Sequence, residues 1–166
     1  MKIYQLKKKQ FLPISLENAW NFFSNPENLA KITPAKLNFR ITSELPEKMR
    51  AGLIIIYNVR PLLNIPTTWI TEITHITAPF YFVDEQRIGP YKMWHHEHIF
   101  KECEDGGVIM EDIVSYAVPF GLLGRIMNYF IISKKISAIF NYRSDRLKHI
   151  FRKDAVDKNF VDFPGV

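Results

Sequence analysis

At 166 residues the chain has the length of one ordinary domain, large enough to bury a core without disulfide or metal staples. Apolar residues make up 47% and aromatics 14%, with 13 Phe, 7 Tyr and 3 Trp, which excludes a disordered chain and predicts a core rich in bulky rings. The net charge of +5 sits mainly in Lys7, Lys8 and Lys9 and along the last helical segment, where it reads as a solvated basic face, so no nucleic-acid partner is expected.

The opening Met1-Lys2-Ile3-Tyr4 lacks the apolar run and small-residue cleavage site of a secretory leader. The single cysteine, Cys103, has no partner for an internal disulfide, so a cytoplasmic protein is expected. Residues 2–12 mix polar and apolar types without helical period and end at Pro13, the pattern of an edge strand whose lysines discourage pairing with other chains. Ser15 then reads as a helix N-cap, Glu17 favours the positive end of the helix dipole, and Leu16, Ala19, Trp20 and Phe23 recur at helical spacing. Asn25 and Pro26 restart the pattern as cap and first helical position, with Leu29 and Ile32 on the buried side.

After Pro34 the period changes from about 3.6 to 2. Leu37, Phe39 and Ile41 alternate with polar residues and predict a strand. Further strands are predicted over 53–59, 67–74, 81–88, 92–102 and 108–118. Their separators carry turn chemistry: Pro46 with Gly52, Pro61 with Asn64 and Pro66, Pro79, Gly89-Pro90, and Asp105-Gly106-Gly107. Such short links imply antiparallel neighbours. Over 122–152 the helical period returns, with Ile132, Ile136, Ile139, Phe140, Arg143, Leu147 and Ile150 on one stripe, and at ~1.5 Å per residue such a helix crosses a small domain. No apolar run approaches the roughly 20 residues of a membrane span. The reading is one domain over 1–153 and a tail over 154–166, where Phe160 and Phe163 remain as candidate packing residues before Pro164-Gly165.

The order of strand, two short helices, about six strands and one long helix is that of the helix-grip fold, an α+β architecture. Several strings sharpen the likeness: Leu12-Pro13, Trp20 with Phe22-Phe23, Asn28-Leu29, Ile32-Thr33-Pro34, Gly89-Pro90-Tyr91, Trp94-x-His96-x-His98-x-Phe100, residues 112–116 and residues 119–121. On these the chain resembles the SRPBCC (START-like, Bet v1-like) superfamily, in particular bacterial ligand-binding proteins of the cyclase/dehydrase type. That resemblance implies a curved antiparallel sheet of about seven strands around a long C-terminal helix, with a cavity between them. Because the superfamily carries many functions on one scaffold, it implies no particular ligand.

Residues two apart on a strand share a face. Trp94, His96, His98 and Phe100 therefore point one way, and their two large rings assign that face inward. Met110, Asp112, Val114 and Tyr116 form the matching set on the next strand. A three-residue loop of Glu104, Asp105 and Gly106 places Phe100 opposite Met110, His98 opposite Asp112 and Trp94 opposite Tyr116. Phe82, Asp84, Gln86 and Ile88, and before them Thr67, Trp69, Thr71 and Ile73, extend the face.

The result is an aromatic wall of Trp69, Phe82, Trp94, Phe100 and Tyr116 crossed by a polar row of Asp84, Gln86, His96, His98 and Asp112, with Arg143 turned in from the helix. Two readings of the row stand side by side: ligand contacts, or groups that satisfy one another because buried polar atoms need partners. His96-x-His98 with Asp112 supplies ligand types a zinc ion can use, but no further His or Cys completes the set, so no metal and no cofactor are expected. No catalytic triad or nucleophile motif is present.

The leading expectation is carriage or sensing of an apolar or amphipathic small molecule. An aromatase/cyclase- or dehydratase-like enzyme using His96, His98 and Asp112 as acid and base groups is the first alternative. A lipid-transfer or membrane-surface domain using Leu122, Leu123 and the basic helix is the second. The glycine-flanked segment 120–126 reads equally as a gate over the cavity mouth or as an ordinary helix entry.

Overall fold

The computed structural model describes residues 1–61, 65–104 and 106–157, with side chains described through Arg152. Asn64, Asp105, Phe160, Phe163, Pro164 and Gly165, singled out above, lie outside the described residues. The strands are β1 (Tyr4–Leu12), β2 (Arg40–Ile41), β3 (Leu53–Val59), β4 (Thr67–Thr77), β5 (Tyr81–Ile88), β6 (Met93–Glu102) and β7 (Val108–Ala117). They form one seven-stranded antiparallel sheet in the order β1-β7-β6-β5-β4-β3-β2. Consecutive strands are neighbours except β1, which crosses to β7 and makes an edge as its sequence predicts. Register shifts between Ile70 and Thr71 and between Ile73 and His75 on β4 are the kind of irregularity that bends a strand and lets a sheet curl.

Between β1 and β2 lie α1 (Leu16–Phe23) and two 3-10 segments, Pro26–Ile32 and Ala35–Leu37. The caps are those the sequence predicts: the Ser15 side chain accepts from the Asn18 N–H and the Asn25 side chain from the Glu27 N–H. The strand expected from Leu37 onward is corrected. Leu37 closes a 3-10 turn, Asn38 takes a left-handed conformation at φ 46°, and only Arg40 and Ile41 pair with β3. Asparagine tolerates that backbone better than most residues and ends the turn there. The apparent alternation reflects a buried turn residue, Leu37, followed by a very short edge strand.

The C-terminal helix runs as α2 (Gly121–Met127), a π segment at Asn128–Ile132, and α3 (Ser133–Asp157). It continues four residues into the stretch read as a tail. The π turn is anchored by Asn128, which is buried and whose Oδ1 accepts from the Tyr116 hydroxyl at 3.1 Å, while the Ser133 hydroxyl donates to the Asn128 carbonyl at 2.8 Å. No helix among the described residues is long and apolar enough to cross a membrane.

Leu12, Phe100, Val108, Met110 and Leu147 fill the core at one end of the sheet, and Val114, Ile132, Ile136 and Phe140 fill it at the other. From the helical stripe, Ile132, Ile136, Phe140, Arg143 and Leu147 are buried, with Ile139 and Ile150 at its margins. The edge strand β1 is tied to α3 by Lys8 Nζ donating to Asn141 Oδ1 at 2.7 Å and by paired contacts of Gln10 with Ser144.

Candidate functional site

A cavity of about 180 Å³ lies between the sheet and α3, with the Pro26–Ile32 segment and its neighbours along one side. Trp69, Phe82, Asp84, Trp94, His96, His98 and Arg143, all singled out from the sequence, line it, together with Phe23, Leu29, Tyr57, Tyr91 and Phe140. The rings interlock: Trp69 meets Trp94 edge-on at 5.4 Å and stacks against Tyr57 at 6.0 Å, and Tyr91 lies 4.9 Å from Trp94. Such aromatic pairs hold their rotamers by shape as well as by burial.

The remaining sequence candidates do not line the cavity. Gln86 is spent on the β5–β6 turn, donating to the Tyr91 carbonyl at 2.7 Å and accepting from the Tyr91 N–H at 3.2 Å. Phe100 is buried in the core beneath Trp20, Phe23 and Phe82. Tyr116 is buried and tied to the π segment through its bond to Asn128. Asp112 stands behind the two histidines, away from the cavity. Phe100 and Tyr116 are covered by α1 and by the π segment, Gln86 is held by the following turn, and Asp112 is held by the two histidines.

The register of β6 and β7 pairs Phe100 with Met110, His98 with Asp112 and Trp94 with Tyr116, as the loop arithmetic requires. On the other side Asp84 lies opposite His96. Two imidazoles are thereby held between two carboxylates, and the shorter contacts run diagonally. His96 Nε2 is 2.9 Å from Asp112 Oδ1 and His98 Nε2 is 2.9 Å from Asp84 Oδ2. The directly opposed contacts, His96 Nδ1 to Asp84 Oδ2 and His98 Nδ1 to Asp112 Oδ1, are 3.2 Å each. His98 thus faces Asp112 as the register requires, at 3.2 Å, and His96 adds the shorter contact to the same carboxylate. Both rings are buried, at 4% and 6% exposure, yet His96 and His98 line the cavity while Asp112 does not.

The rings are fixed from all sides. Phe82 stacks on His98 at 4.0 Å, Phe140 meets His96 edge-on at 5.5 Å, and the two imidazoles lie 3.8 Å apart. Arg143 crosses Phe140, its guanidinium 4.8 Å from the ring, and brings Nη1 within 3.6 Å of Asp112 Oδ1.

Burial acts to raise the Asp84 carboxyl, but the charge and hydrogen bonding of His96, then of His98, outweigh it and hold Asp84 well below the usual range. Asp112 is likewise pushed up by burial and held down overall by hydrogen bonds from His96 and His98 and by the Arg143 charge. His96 is pulled down by burial and raised overall by Asp84 and Asp112. Burial, with the nearby Asp84 charge, pushes the Tyr57 phenol far above its ordinary 10.0, so it is a neutral hydroxyl sharing a 2.9 Å hydrogen bond with Thr71. Three buried nitrogens, Trp69 Nε1, His98 Nδ1 and Arg143 Nε, have no hydrogen-bond partner among the described residues.

Tyr57, Tyr91 and Phe140 are cavity residues that the sequence reading did not select. For Tyr57 the usable signal is the alternation of Leu53, Ile55, Tyr57 and Val59. It is masked because Ile54 and Ile56 make the other face apolar too. Phe140 was already on the helical stripe, and only its position opposite His96 marks it as a site residue.

No protein-family model and no curated protein matches the sequence. Solved structures do. A START superfamily protein from Mycobacterium smegmatis superposes with a TM-score of 0.68 at 9% identity, covering 90% of this chain and 97% of its own. A Staphylococcus aureus protein of unknown function gives 0.68 at 13% identity, covering 93% and 96%. Ara h 8.0201 gives 0.56 at 9% identity, covering 88% and 98%. With its seven-stranded sheet closed around α3, the chain has the START-like (SRPBCC) helix-grip fold, reached by a sequence far removed from those of its structural neighbours.

Proposed function

We propose that this chain binds a small, largely apolar molecule between the sheet and α3, as a carrier or sensor. The observation that carries the reading is the cavity of about 180 Å³, lined mainly by aromatic and aliphatic side chains, with Asp84, His96, His98 and Arg143 as its charged or titratable groups. A void of ~150 Å³ takes a benzene molecule, so the space suits a compound of one substituted ring or a short branched chain. Trp69 Nε1 and Arg143 Nε are donors without hydrogen-bond partners among the described residues, which favours a ligand carrying an acceptor oxygen on an otherwise apolar body.

Native mass spectrometry of the purified protein before and after solvent extraction tests this directly, followed by titration with ring alcohols, ring acids and short branched acids read by tryptophan fluorescence and thermal melting. A ligand at one hundred times its Kd stabilises the fold by ~2.7 kcal/mol. A protein that carries nothing and whose melt and fluorescence respond to no member of the series would sink the reading.

A second reading, contact with a membrane surface, is favoured by the outer face of the C-terminal helix. Phe120, Leu122 and Tyr129 are 77%, 72% and 74% exposed, and Leu123, Ile126 and Phe130 are exposed beside them. The sequence from Ile113 to Ser144 contains no acidic residue and includes Arg125, Lys134 and Lys135. An apolar face flanked by cations suits the boundary of an anionic bilayer. Co-sedimentation with vesicles containing anionic lipid, absent with neutral vesicles and weakened by salt, is the expected result. Equal recovery in the supernatant under every condition excludes it.

A further inference from the structure

The ring of two histidines and two carboxylates is more than self-satisfaction of buried polar groups requires. Each imidazole has one nitrogen near Asp84 and the other near Asp112. A neutral imidazole has one N–H and one lone pair. Two neutral rings therefore provide two donors for four nitrogen–carboxylate contacts, and a proton on one ring provides a third, so at least one contact still sets a ring lone pair against a carboxylate oxygen. A cation on the Asp84 side removes that conflict. Each ring then donates its remaining N–H to Asp112 and turns its lone pair to the ion.

We propose that Asp84 Oδ2, His96 Nδ1 and His98 Nε2 form a binding site for a first-row divalent transition ion at the polar wall of the cavity. One ligating atom from each residue lies within 4.8 Å of the others. The Asp84 oxygen is 3.2 Å from the His96 nitrogen and 2.9 Å from the His98 nitrogen. Ligands bonded at ~2.0–2.2 Å to one ion sit about 3 Å from each other, so a modest opening of this set admits an ion. Two imidazoles and one carboxylate suit zinc, iron, cobalt or nickel better than magnesium or calcium.

The surroundings are those of a built site. Asp112 accepts from the far nitrogen of His96 and faces that of His98, the outer-shell arrangement that fixes tautomer and ring orientation in metal sites. Arg143 lies beside Asp112 in turn, and Phe82 and Phe140 hold the rings. All three ligating residues line the cavity, so the remaining coordination positions face the space where a small molecule would bind. The sequence did not reveal the third ligand because Asp84 is on a different strand and joins the histidines only through the β5–β6 register.

Tag-free, chelator-treated protein titrated with Co²⁺ and followed by visible absorption, with Zn²⁺ in parallel by calorimetry, tests the site without reference to any organic ligand. One ion per chain is expected. Asp84→Asn and His98→Ala should weaken binding by at least about a hundred-fold, and Asp112→Asn by about ten- to a hundred-fold through ring orientation. In the wild-type protein, Zn²⁺ should shift the ¹⁵N resonances of His96 Nδ1 and His98 Nε2, a readout that needs no variant to fold. No binding by the wild type overturns the proposal, as do undiminished binding by Asp84→Asn and His98→Ala or ¹⁵N shifts confined to His75, His95 and His149.

Discussion

The polar wall on β5, β6 and β7 and the apolar face of the helix at 120–131 both reverse the usual rule that charge is outside and hydrocarbon inside, but they do so differently. In the wall, each charged group is buried against a group of opposite charge, and removing one member leaves the others without compensation. On the helix, Phe120, Leu122, Leu123, Ile126, Tyr129 and Phe130 are exposed with nothing described over them, and removing one leaves the fold indifferent. Buried polarity here is coupled to the stability of the fold. Exposed hydrocarbon on the helix is not coupled to it in that way.

The sharpest way to break this comparison is Asp112→Ala. It strands two histidines and Arg143 in the interior and is expected to cost about 3–5 kcal/mol by chemical denaturation. A loss below about 1 kcal/mol would mean the wall is solvated and behaves like the helix face. Next is Gly124→Ala, where a Cβ would collide with the Pro119 carbonyl oxygen. It should cost about 1–3 kcal/mol and displace the helix entry, visible as altered proteolysis at 119–126.

The third prediction uses pH, with chelator present. Asp84 and Asp112 have depressed folded values, so their stabilisation is present above the ordinary 3.8 and lost as pH falls through the folded values. His96 has a raised folded value, so its contribution is present below 6.5 and lost as pH rises through the folded value. Stability should therefore peak between these limits and fall on the alkaline side by up to about 1.4 kcal/mol per pH unit for one proton. A steady rise from about pH 5 to about pH 9 contradicts the ring. The smallest effect is expected from Leu122→Ser with Leu123→Ser, within about 0.5 kcal/mol per site, while vesicle binding is lost. A double variant that unfolds the protein would show the helix face to be structural.

Much of the wall was legible because strand periodicity is strict. Once Trp94 and Phe100 set the inward face, His96 and His98 had to follow, and the short loop fixed Asp112 across from them. What periodicity cannot give is depth. Phe100 and Tyr116 share the inward face with Trp94, yet α1 covers the first and Asn128 of the π segment ties down the second. Gln86 had the correct face and was diverted by the turn that follows it. The diagonal pairing of His96 with Asp112 was likewise hidden, since it depends on rotamers set by Phe82 and Phe140 rather than on register. Leu37 was misread because a buried 3-10 residue followed by Asn38 imitates alternation.

The place of β1 in the sheet sets an order of assembly. It is the first of the seven strands to be synthesised, yet its partners are β7, about a hundred residues later, and Asn141 and Ser144 on α3. At ~5–20 residues per second, it waits on the order of ten seconds with its backbone unpaired. Such a strand is a template for adhesion to other nascent chains. Lys7, Lys8 and Lys9 in its middle repel copies of itself during that interval, so this cluster, which contributes little to the finished cavity, protects the chain while the cavity is still being made.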